Sequence, residues 1–448
     1  MTTDPTAARP TRSVAYVLKG FPVLSETFIS SEVYRLERAG VGLFIFVVKP
    51  RDEREHHPVI DRIRTRPDYL PPTTRISEGS RLRWLVTNAP SFMPCLARVL
   101  RRRPMGFVRA VRLALTESIL TRRSFWSWPK ISYVRDLMVA VALADRVMST
   151  PNIRHLHAHF AHDTTTITWL ASIMSGLPFS FTAHAKDIYA DRLNPRDLLR
   201  RKVCAAEFVV TCTDANRRHL DQMSNGTPIH RVYHGLNDDF RRFSTTALTD
   251  IPAQSGFRLL SVARLVRKKG LDVFVAACGL LDRRGVPFRA EIVGEDDDVG
   301  ENFSVGDDLR GRIARLGLDD KVRMLGQIGQ EEVYHRYRDA HVFCLPCRVL
   351  DNGDRDGIPN VLLEAMWCGV PVITTPVSGI PELITDGVNG LLVPQDDPEA
   401  LAHAVQRIKA DRDLARRLAQ AGRASVHKRF DGDVLARELA ELFEQVIA

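Results

Sequence analysis

Residues 257–270, FRLLSVARLVRKKG, join an apolar run of strand length to a basic turn that ends at a glycine, where a helical pattern begins. The apolar runs RAEIVG, KVRMLG, HVFCLP, VPVITT and GLLVP follow, most of them separated by helical patterns. Strands that alternate with helices predict a parallel sheet with helices on both faces. We therefore predict a doubly wound α/β domain over residues 257–429, followed by a helix over 430–448.

The first half of the chain shows the same alternation. VAYVL (14–18) and VGLFIFVV (41–48) flank a helical pattern, and IRHLHAHF, PFSFTA and FVVTC follow further along. Runs that are apolar throughout are typical of parallel strands covered on both faces. A chain of 448 residues is too long for one ordinary core. We predict the fold class α/β with two doubly wound, Rossmann-like domains that face a cleft, the first over residues 1–240.

Positive charge is concentrated in one segment of the first half. The chain has a net charge of +9, and residues 75–150 contain 14 basic residues but only four acidic ones. The segment has helical patterns, and we interpret it as a basic helical insert. One hypothesis is that this segment docks the protein on an anionic membrane. The alternative is a helical subdomain that packs on the first sheet and whose arginines are simply solvated. The residues expected to enter the lipid interface are Trp84, Phe92, Met93, Phe107, Phe125, Trp126 and Trp128.

The termini and the apolar runs bear on localisation. The first dozen residues are polar and contain no apolar core, which argues against an export signal. No apolar run approaches the roughly 18 residues that a membrane-spanning helix needs. We expect a cytoplasmic protein that associates peripherally with the inner face of the cell membrane.

Two cations follow the first strand of the second half. Arg264 comes directly after the apolar run, and Lys269 immediately precedes the next helical pattern. Ligands of doubly wound sheets bind at the carboxyl ends of the strands, where two such cations can clamp a diphosphate. The alternative is a pair of solvated surface charges. The position of Arg264 directly after a strand favours the diphosphate interpretation.

The stretch DRDGIPNVLLEAM (354–366) places acids on both sides of a predicted loop-to-helix turn. Gly357 permits close approach of the backbone, and Pro359 suits the first helical turn. The amides at such a helix start can bind an anion. Glu364, about one turn inside, can accept two hydrogen bonds from a ribose diol, and Asp356 can reach sugar hydroxyls beyond the phosphates. The alternative for Glu364 is a simple interaction with the helix dipole.

Two stretches of the sequence contain residues that could bind a metal ion. The pair Asp354 and Asp356 matches the Asp-x-Asp pattern of metal-dependent glycosyltransferases, whereas the calcium-loop pattern fails because Leu363 takes the place of the required Glu. His155, His157 and His159 alternate along a predicted strand, with His162 beyond, and three such histidines can bind zinc. No Cys or acid at ligand spacing accompanies them, and packed strand histidines are common. We favour the interpretation without a metal.

FTAHAKDIY (181–189) places His184 and Asp187 directly after another predicted strand. They face the cleft if the predicted topology is right. A histidine in that place can hydrogen-bond a sugar hydroxyl or stabilise a developing charge.

Together these motifs resemble a known family, the retaining glycosyltransferases of the GT-B fold in the large family four. The similarity is greatest to the branch that builds bacterial exopolysaccharides. It covers nearly the whole chain, through FPVLSETF (21–28), HAHFA (157–161), FTAHAKDIY (181–189), HGLN (234–237), SVARLVRKKG (261–270), EIVGE (291–295), DGIPNVLLEAM (356–366) and SGIPELI (378–384). Each motif alone is weak, but their common order is specific.

The resemblance implies roles for particular residues. The Glu-x7-Glu motif of the family falls on Asp356 and Glu364, so the first acid is one methylene shorter here. The resemblance implies that Arg264 and Lys269 bind the donor diphosphate and that Glu364 binds the ribose. It also implies that backbone amides near Gly357 and Val361 hold the phosphate and sugar. It assigns the reacting sugar to the predicted catalytic residues His184 and Asp356. It assigns the acceptor side to Ser25, Glu26 and Asp187.

The resemblance also implies a reaction. A sugar would move from a nucleoside-diphosphate sugar to a glycan acceptor, typically lipid-linked, with retention of configuration and without a metal or other cofactor. The final helix, 430–448, would cross back onto the first domain. Alternatives are a GT-B-fold nucleotide-sugar epimerase, a phosphorylase, or a glycosyltransferase with a small soluble acceptor. A nucleic-acid binder would account for the basic segment, but the segment contains no motif for base readout.

Overall fold

The computed structural model describes residues 12–23, 27–50, 58–74, 81–122, 130–236, 240, 256–296 and 304–448. The chain divides into two compact units. The first contains the chain up to Cys212, with Arg217–Val232 and Asp433–Ala448, and the second contains Thr213–Asn216 and Tyr233–Gly432. Each unit is built on its own parallel sheet.

The sheet of the first unit has, in the described residues, seven parallel strands. They are β1 (Ser13–Leu18), β2 (Gly42–Val47), β3 (Asp68–Tyr69), β4 (Ile153–His159), β5 (Phe179–Ala183), β6 (Val209–Thr211) and β7 (Ile229–Arg231). Their order is β3-β2-β1-β4-β5-β6-β7. All six residues of β1 are buried, because helices cover both faces of the sheet.

Helices connect the strands of the first unit. They are α1 (Thr27–Arg38), α2 (Arg81–Asn88), α3 (Met93–Arg102), α4 (Pro104–Leu120), α5 (Ser132–Met148), α6 (Asp163–Ser175), α7 (Ala185–Tyr189), α8 (Leu198–Ala205) and α9 (Asp214–Asp221). Helix α9 begins in the second unit and continues into the first. Helix α5 has an apolar face that joins the core beside α6.

The basic segment forms α2 to α5 where the structure describes it. Trp84 and Phe92 were expected at a lipid interface, and this expectation is wrong because both side chains are buried. The Trp84 indole N–H donates to the backbone oxygen of Thr74 at 3.1 Å, and Phe92 joins the core. Met93 is exposed. Phe125, Trp126 and Trp128 lie outside the described residues.

The second unit contains a smaller sheet with six parallel strands in its described residues. They are β8 (Phe257–Val262), β9 (Phe288–Val293), β10 (Val322–Gly326), β11 (Val342–Leu345), β12 (Val372–Thr374) and β13 (Leu391–Leu392). The order is β10-β9-β8-β11-β12-β13. The helices are α10 (Leu271–Arg283), α11 (Val305–Arg315), α12 (Gln330–Asp339), α13 (Asn360–Trp367), α14 (Ile380–Leu383), α15 (Pro398–Ala410) and α16 (Arg412–Arg429). The prediction of two doubly wound parallel sheets is confirmed.

Both strand orders reverse direction once. In the first unit the chain proceeds outward from β1 to β3 and then from β4 to β7 on the other side, so the switch point lies between β1 and β4. In the second unit the switch point lies between β8 and β11. Crevices at the carboxyl ends of the strands beside a switch point are where such sheets bind ligands.

The last helix, α17 (Gly432–Ile447), contributes its residues from Asp433 onward to the first unit. The buried ring of Phe443 lies edge-on to His157 with ring centroids 4.9 Å apart, and it also contacts Tyr16 and Phe208. The C-terminus therefore forms part of the core of the first unit. No helix among the described residues is long and apolar enough to cross a membrane.

We predict that Phe443→Ala lowers the free energy of unfolding by about 3–5 kcal/mol, because it empties a fully packed aromatic site. Urea unfolding followed by circular dichroism measures the change. The matched control is Gln445→Ala, which truncates an exposed side chain of the same helix and should have little effect. Equal stability of the two variants would show that α17 is not required by the core.

Candidate functional site

Two loops meet at the switch point of the second unit. The loop after β8 contains the turn Arg267–Lys269, and the loop after β11 leads to α13. The backbone N–H of Arg348 donates to the oxygen of Lys268 at 2.9 Å and ties the loops together. Gly270 has a φ of +66°, and a Cβ there would lie 1.9 Å from the backbone oxygen of Pro346. Only glycine allows this approach, so the close contact of the two loops depends on the glycine at position 270.

A cluster of opposite charges occupies this junction. Lys269 Nζ lies 2.7 Å from Asp356 Oδ2, and Lys268 Nζ lies 3.2 Å from Asp356 Oδ1 and 3.0 Å from Asp354 Oδ1. Burial alone would raise the pKa of Asp356, but the two ammonium groups hold it well below its usual range. Both acids raise the pKa of Lys268 against the effect of its burial. Asp356 and Lys268 therefore stay ionised at neutral pH.

Helix α13 begins beside this cluster. Pro359 is extended and immediately precedes the first helical residue, Asn360, so it lies one position outside the turn predicted for it. Gly357 and Val361 flank the helix start and are half-buried. Arg264 is exposed in the loop that also carries Lys269. The structure thus places every predicted donor-binding residue at the carboxyl edge of one sheet, beside its switch point.

Glu364 lies one turn after the start of α13 and is 9% exposed. Its Oε2 accepts a hydrogen bond from the hydroxyl of the fully buried Tyr337 at 3.1 Å, and the same hydroxyl lies 3.3 Å from the backbone oxygen of Val361. Burial raises the pKa of Glu364 to about 7, although the hydrogen bond from Tyr337 opposes the shift. The carboxylate is thus fixed in orientation but costly to ionise.

The switch loop of the first unit follows β4 and is clamped by buried charges. Phe160 has a φ of 69°, which is rare for a residue with a side chain. The N–H of Ala161 donates to Asp187 Oδ2, and Lys202 Nζ donates to the backbone oxygens of Ala161 and His162 at 2.8 Å each. Burial lowers the pKa of Lys202 to about 7, although neighbouring acids oppose the shift. The clamp holds a strained backbone in place.

His184 ends the turn after β5 and caps α7. Its backbone N–H donates to Asp187 Oδ1 at 2.8 Å, as one half of a capping box. Its ring packs against Phe28 and Phe160, and its Nε2 lies 3.3 Å from Nδ1 of His159. Asp187 is 2% exposed, and both carboxylate oxygens are bonded to backbone amides. These contacts make Asp187 a residue that shapes the loop, and its acceptor-side role stays a prediction.

The strand histidines have partners within the sheet. His155 Nε2 and His157 Nδ1 each lie 2.7 Å from Ser180 Oγ, and His157 Nε2 lies 2.9 Å from Thr182 Oγ1. Burial lowers the pKa of His155 to about 3 and that of His157 well below its usual range. Both rings are therefore neutral and bonded to hydroxyls. Ser25 and Glu26, predicted on the acceptor side, lie outside the described residues.

Three site residues were missed by sequence reasoning. Lys268 was overlooked beside Lys269, although the turn Arg267–Lys269 directs both ammonium groups to Asp356. Tyr337 comes from α12, 27 residues before its partner Glu364, and no local pattern signals this contact. Lys202 resembles an ordinary helical lysine in sequence and is fully buried in the structure.

Comparisons with known proteins agree with this geometry. The family described as Glycosyl transferases group 1 matches residues 252–425. The putative colanic acid biosynthesis glycosyltransferase WcaL of Salmonella typhimurium is 38% identical over 452 residues, which cover 97% of this chain and 100% of that protein. The amylovoran biosynthesis glycosyltransferase AmsK of Erwinia amylovora is 27% identical over 435 residues, covering 95% of this chain and 98% of that protein.

Solved structures share the fold. Sucrose-phosphate synthase from Thermosynechococcus elongatus has a TM-score of 0.68 at 20% identity and covers 97% of this chain and 99% of its own. HepE from Anabaena, solved in complex with UDP-glucose, has a TM-score of 0.65 at 15% identity and covers 96% of this chain and 99% of its own. Likeness at these identities concerns the fold alone. It confirms the predicted GT-B fold class with two Rossmann-like units.

We predict that nucleotide affinity rises by up to about ten-fold between pH 6 and pH 8, because only ionised Glu364 accepts both hydrogen bonds of a ribose diol. The midpoint should lie near the pKa of about 7. Calorimetry with UDP and GDP measures it. Phosphate groups of the nucleotide also titrate, so the difference between wild type and Glu364→Gln isolates the contribution of Glu364.

A second variant checks the assignment. Tyr337→Phe removes the hydrogen bond that lowers the Glu364 pKa, so the midpoint should move to higher pH. The free energy of unfolding should change with pH in the opposite direction to the nucleotide affinity. The folded protein binds the Glu364 proton between the unfolded pKa of 4.5 and about 7, so unfolding becomes easier as pH rises through that interval. A pH profile shared by wild type and Glu364→Gln would contradict the ribose assignment.

Proposed function

We propose that this chain, which belongs to the glycosyl transferases group 1 family, transfers a sugar from a nucleoside-diphosphate sugar to a lipid-linked glycan acceptor in bacterial polysaccharide or glycolipid biosynthesis. The family makes the chain a glycosyltransferase. Retention of configuration, independence of metals and the lipid-linked acceptor are parts of the proposal. The names of the relatives, which refer to colanic acid and amylovoran, support a polysaccharide product.

One observation carries the proposal: two buried ammonium groups and a helix start surround a carboxylate at the switch point of the second unit. Lys269 Nζ lies 2.7 Å from Asp356 Oδ2, and α13 begins four residues after Asp356. A diphosphate suits the cations and the helix amides. Glu364, fixed by Tyr337, would hold the ribose on one side. Asp356 would hold the donor sugar on the other side.

The proposed chemistry is electrostatic. As the bond between the anomeric carbon and the diphosphate oxygen breaks, Lys269 and Arg264 stabilise the negative charge of the leaving group. The ionised Asp356 lies on the sugar side, where positive charge develops. The acceptor hydroxyl oxygen then bonds to the anomeric carbon on the face that the leaving group vacates, and its proton passes to the departing diphosphate oxygen, so configuration is retained. In the proposal, the ammonium groups of Lys268 and Lys269 supply the positive charge that a metal ion supplies at a diphosphate in metal-dependent enzymes, and metal independence is proposed on that basis.

A donor panel tests the proposal directly. Purified protein is incubated with UDP- and GDP-sugars and a lipid-linked saccharide, and nucleotide release is measured with and without EDTA. Release that depends on the acceptor and survives EDTA supports the proposal. Conversion of a nucleotide sugar without any acceptor would instead indicate an epimerase. Equal release with a small soluble sugar would remove the lipid-linked acceptor from the proposal.

We predict that Asp356→Asn lowers kcat by about 10- to 1,000-fold while UDP or GDP binds at least as tightly as to wild type. The substitution keeps the shape of the side chain but removes the charge that neutralises Lys268 and Lys269. Those cations then attract the diphosphate more strongly. Turnover assays and calorimetry separate the two effects.

Asp351→Asn is the matched control, because it changes an exposed acid in the same loop. Its kcat and nucleotide affinity should match those of wild type. Loss of nucleotide affinity in Asp356→Asn, without loss of kcat, would contradict the assignment of Asp356 to the sugar.

Peripheral association with an anionic membrane is the second part of the proposal. Helix α4 exposes a stripe of apolar side chains at helical spacing, formed by Met105, Val108, Leu115 and Ile119. Exposed Arg109 and Arg112 lie along the same stripe. We call the exposed apolar and basic residues of α2, α3 and α4 the basic apolar surface. An apolar stripe bordered by arginines is complementary to the interface of an anionic bilayer.

Neighbouring helices extend the basic apolar surface. Leu82 and Val86 of α2 are 68% and 65% exposed, and Met105 of α4 is 64% exposed. Most of the large exposed apolar side chains among the described residues belong to this segment. Each juxtamembrane cation contributes about 1 kcal/mol near anionic lipid, so three or four arginines and a few buried apolar side chains suffice for reversible docking.

We predict that the protein co-sediments with vesicles that contain anionic phospholipid and that binding weakens in high salt. Changing Arg101, Arg109 and Arg112 to Glu should lower binding by about ten-fold or more. The matched control changes Arg412, Arg416 and Arg417 of α16, which are also exposed but lie in the other unit. Vesicle binding absent at low salt, or reduced equally by both triple variants, would rule out docking through this surface.

A further inference from the structure

A chain of hydrogen bonds reaches His184 from the interior of the first unit. His159 is the last residue of β4 and is fully buried. Its Nε2 lies 2.8 Å from Glu32 Oε1 and 2.9 Å from the Tyr16 hydroxyl, and the same hydroxyl donates to Glu32. On its other side, His159 Nδ1 lies 3.3 Å from His184 Nε2. We call Glu32, His159 and His184 the relay.

The carboxylate at one end of the relay determines where the protons lie. An ionised Glu32 can only accept hydrogen bonds, so the proton between it and His159 belongs to His159 Nε2. A neutral His159 ring then has its lone pair on Nδ1. The nitrogen that faces this lone pair, His184 Nε2, must donate. Glu32 thereby selects the tautomer of His184 with hydrogen on Nε2, although it does not touch that ring.

The capping box at the other end requires the same tautomer. The His184 side chain faces the backbone N–H of Asp187 at the start of α7. A ring nitrogen that receives this N–H must carry a lone pair, and with Nε2 turned towards His159 that nitrogen is Nδ1. Both ends of the relay therefore assign the same proton positions. With these positions, each hydrogen bond of the relay joins one donor to one acceptor.

Packing fixes the orientation of the rings. The His184 ring packs against Phe28 and Phe160, with ring centroids 5.2 and 4.8 Å away. Tyr16 packs on His159 with centroids 5.3 Å apart. Glu32 belongs to α1, and its side chain is only 14% exposed. Withdrawing an ionised carboxylate from water costs free energy unless hydrogen bonds compensate for the lost water. Glu32 has such bonds with His159 and Tyr16.

We infer that Glu32 and His159 are positioning residues, which hold His184 in one neutral tautomer and one orientation for sugar transfer. The inference rests on the proposed function, in which His184 lies by the reacting sugar. In catalytic triads, a carboxylate that fixes a histidine tautomer contributes several powers of ten to the rate, so loss of a positioning carboxylate is measurable. Neither residue is assigned contact with the substrate.

The kinetic test uses Glu32→Gln, with Glu37→Gln as its matched control. Glu37 lies on the same helix, and its carboxylate accepts hydrogen bonds from the backbone N–H groups of Arg64 and Thr65. Glu32→Gln should lower kcat by about 10- to 100-fold with less than about two-fold change in donor KM. Glu37→Gln should have wild-type kinetics. In a His184→Ala background, Glu32→Gln should cause no further loss, because the residue acts through His184.

A spectroscopic test does not depend on activity. In protein with isotope-labelled histidine, nitrogen NMR should show His159 and His184 each as a single tautomer with hydrogen on Nε2, identified by loss of signals in His159→Gln and His184→Ala. Glu32→Gln should give mixed tautomers at both rings, and Glu37→Gln should not. Unchanged tautomers in Glu32→Gln, or losses of kcat that add in the double variant, would overturn the inference. If no nucleotide sugar is turned over by the wild type, the proposed function fails, and the tautomer spectra still decide the relay.

Discussion

Parallel pairing of the strands is the constraint on which both units depend. Parallel neighbours require a crossover after every strand, so all carboxyl ends of the strands lie along one edge of the sheet. The reversal of strand order then opens a crevice at one place on that edge. In the second unit this place contains Lys268, Lys269 and Asp356. In the first unit it contains the loop of Phe160 and the end of β4 at His159.

Buried charge is handled differently at the two switch points. In the second unit, two lysines and two acids form ion pairs at distances of 2.7 to 3.2 Å, which lower the pKa of Asp356 and raise that of Lys268. In the first unit, the fully buried Lys202 donates mainly to backbone oxygens, and burial lowers its pKa to about 7. The first arrangement keeps paired charges at the edge of the sheet, and the proposed function assigns a diphosphate to its cations. The second fixes a strained loop.

The limits of sequence reasoning follow from the same physics. Strand-helix alternation, the glycine at 270 and the cations around it are local patterns, and they predicted both sheets and the donor-side loop. Contacts between residues that are distant in sequence are not signalled by any local pattern. Tyr337 and Glu364 meet only because the fold brings one residue of α12 to one of α13, and the buried Trp84 indole donates to the backbone oxygen of Thr74. An amphipathic pattern shows that a helix has two faces, but not which large residues the neighbouring segments cover.

Asp356 and Glu364 of DRDGIPNVLLEAM have opposite environments, and this difference fits the different roles proposed for them. The ammonium groups of Lys268 and Lys269 hold Asp356 ionised, whereas burial raises the pKa of Glu364 to about 7. A carboxylate kept ionised by neighbouring cations suits a place where positive charge develops on a sugar. A carboxylate that is costly to ionise gains most from a ligand that donates two hydrogen bonds, as a ribose diol does. The shorter side chain at 356 keeps that acid against the lysines, so the missing methylene is compatible with the role of the residue in the charge cluster.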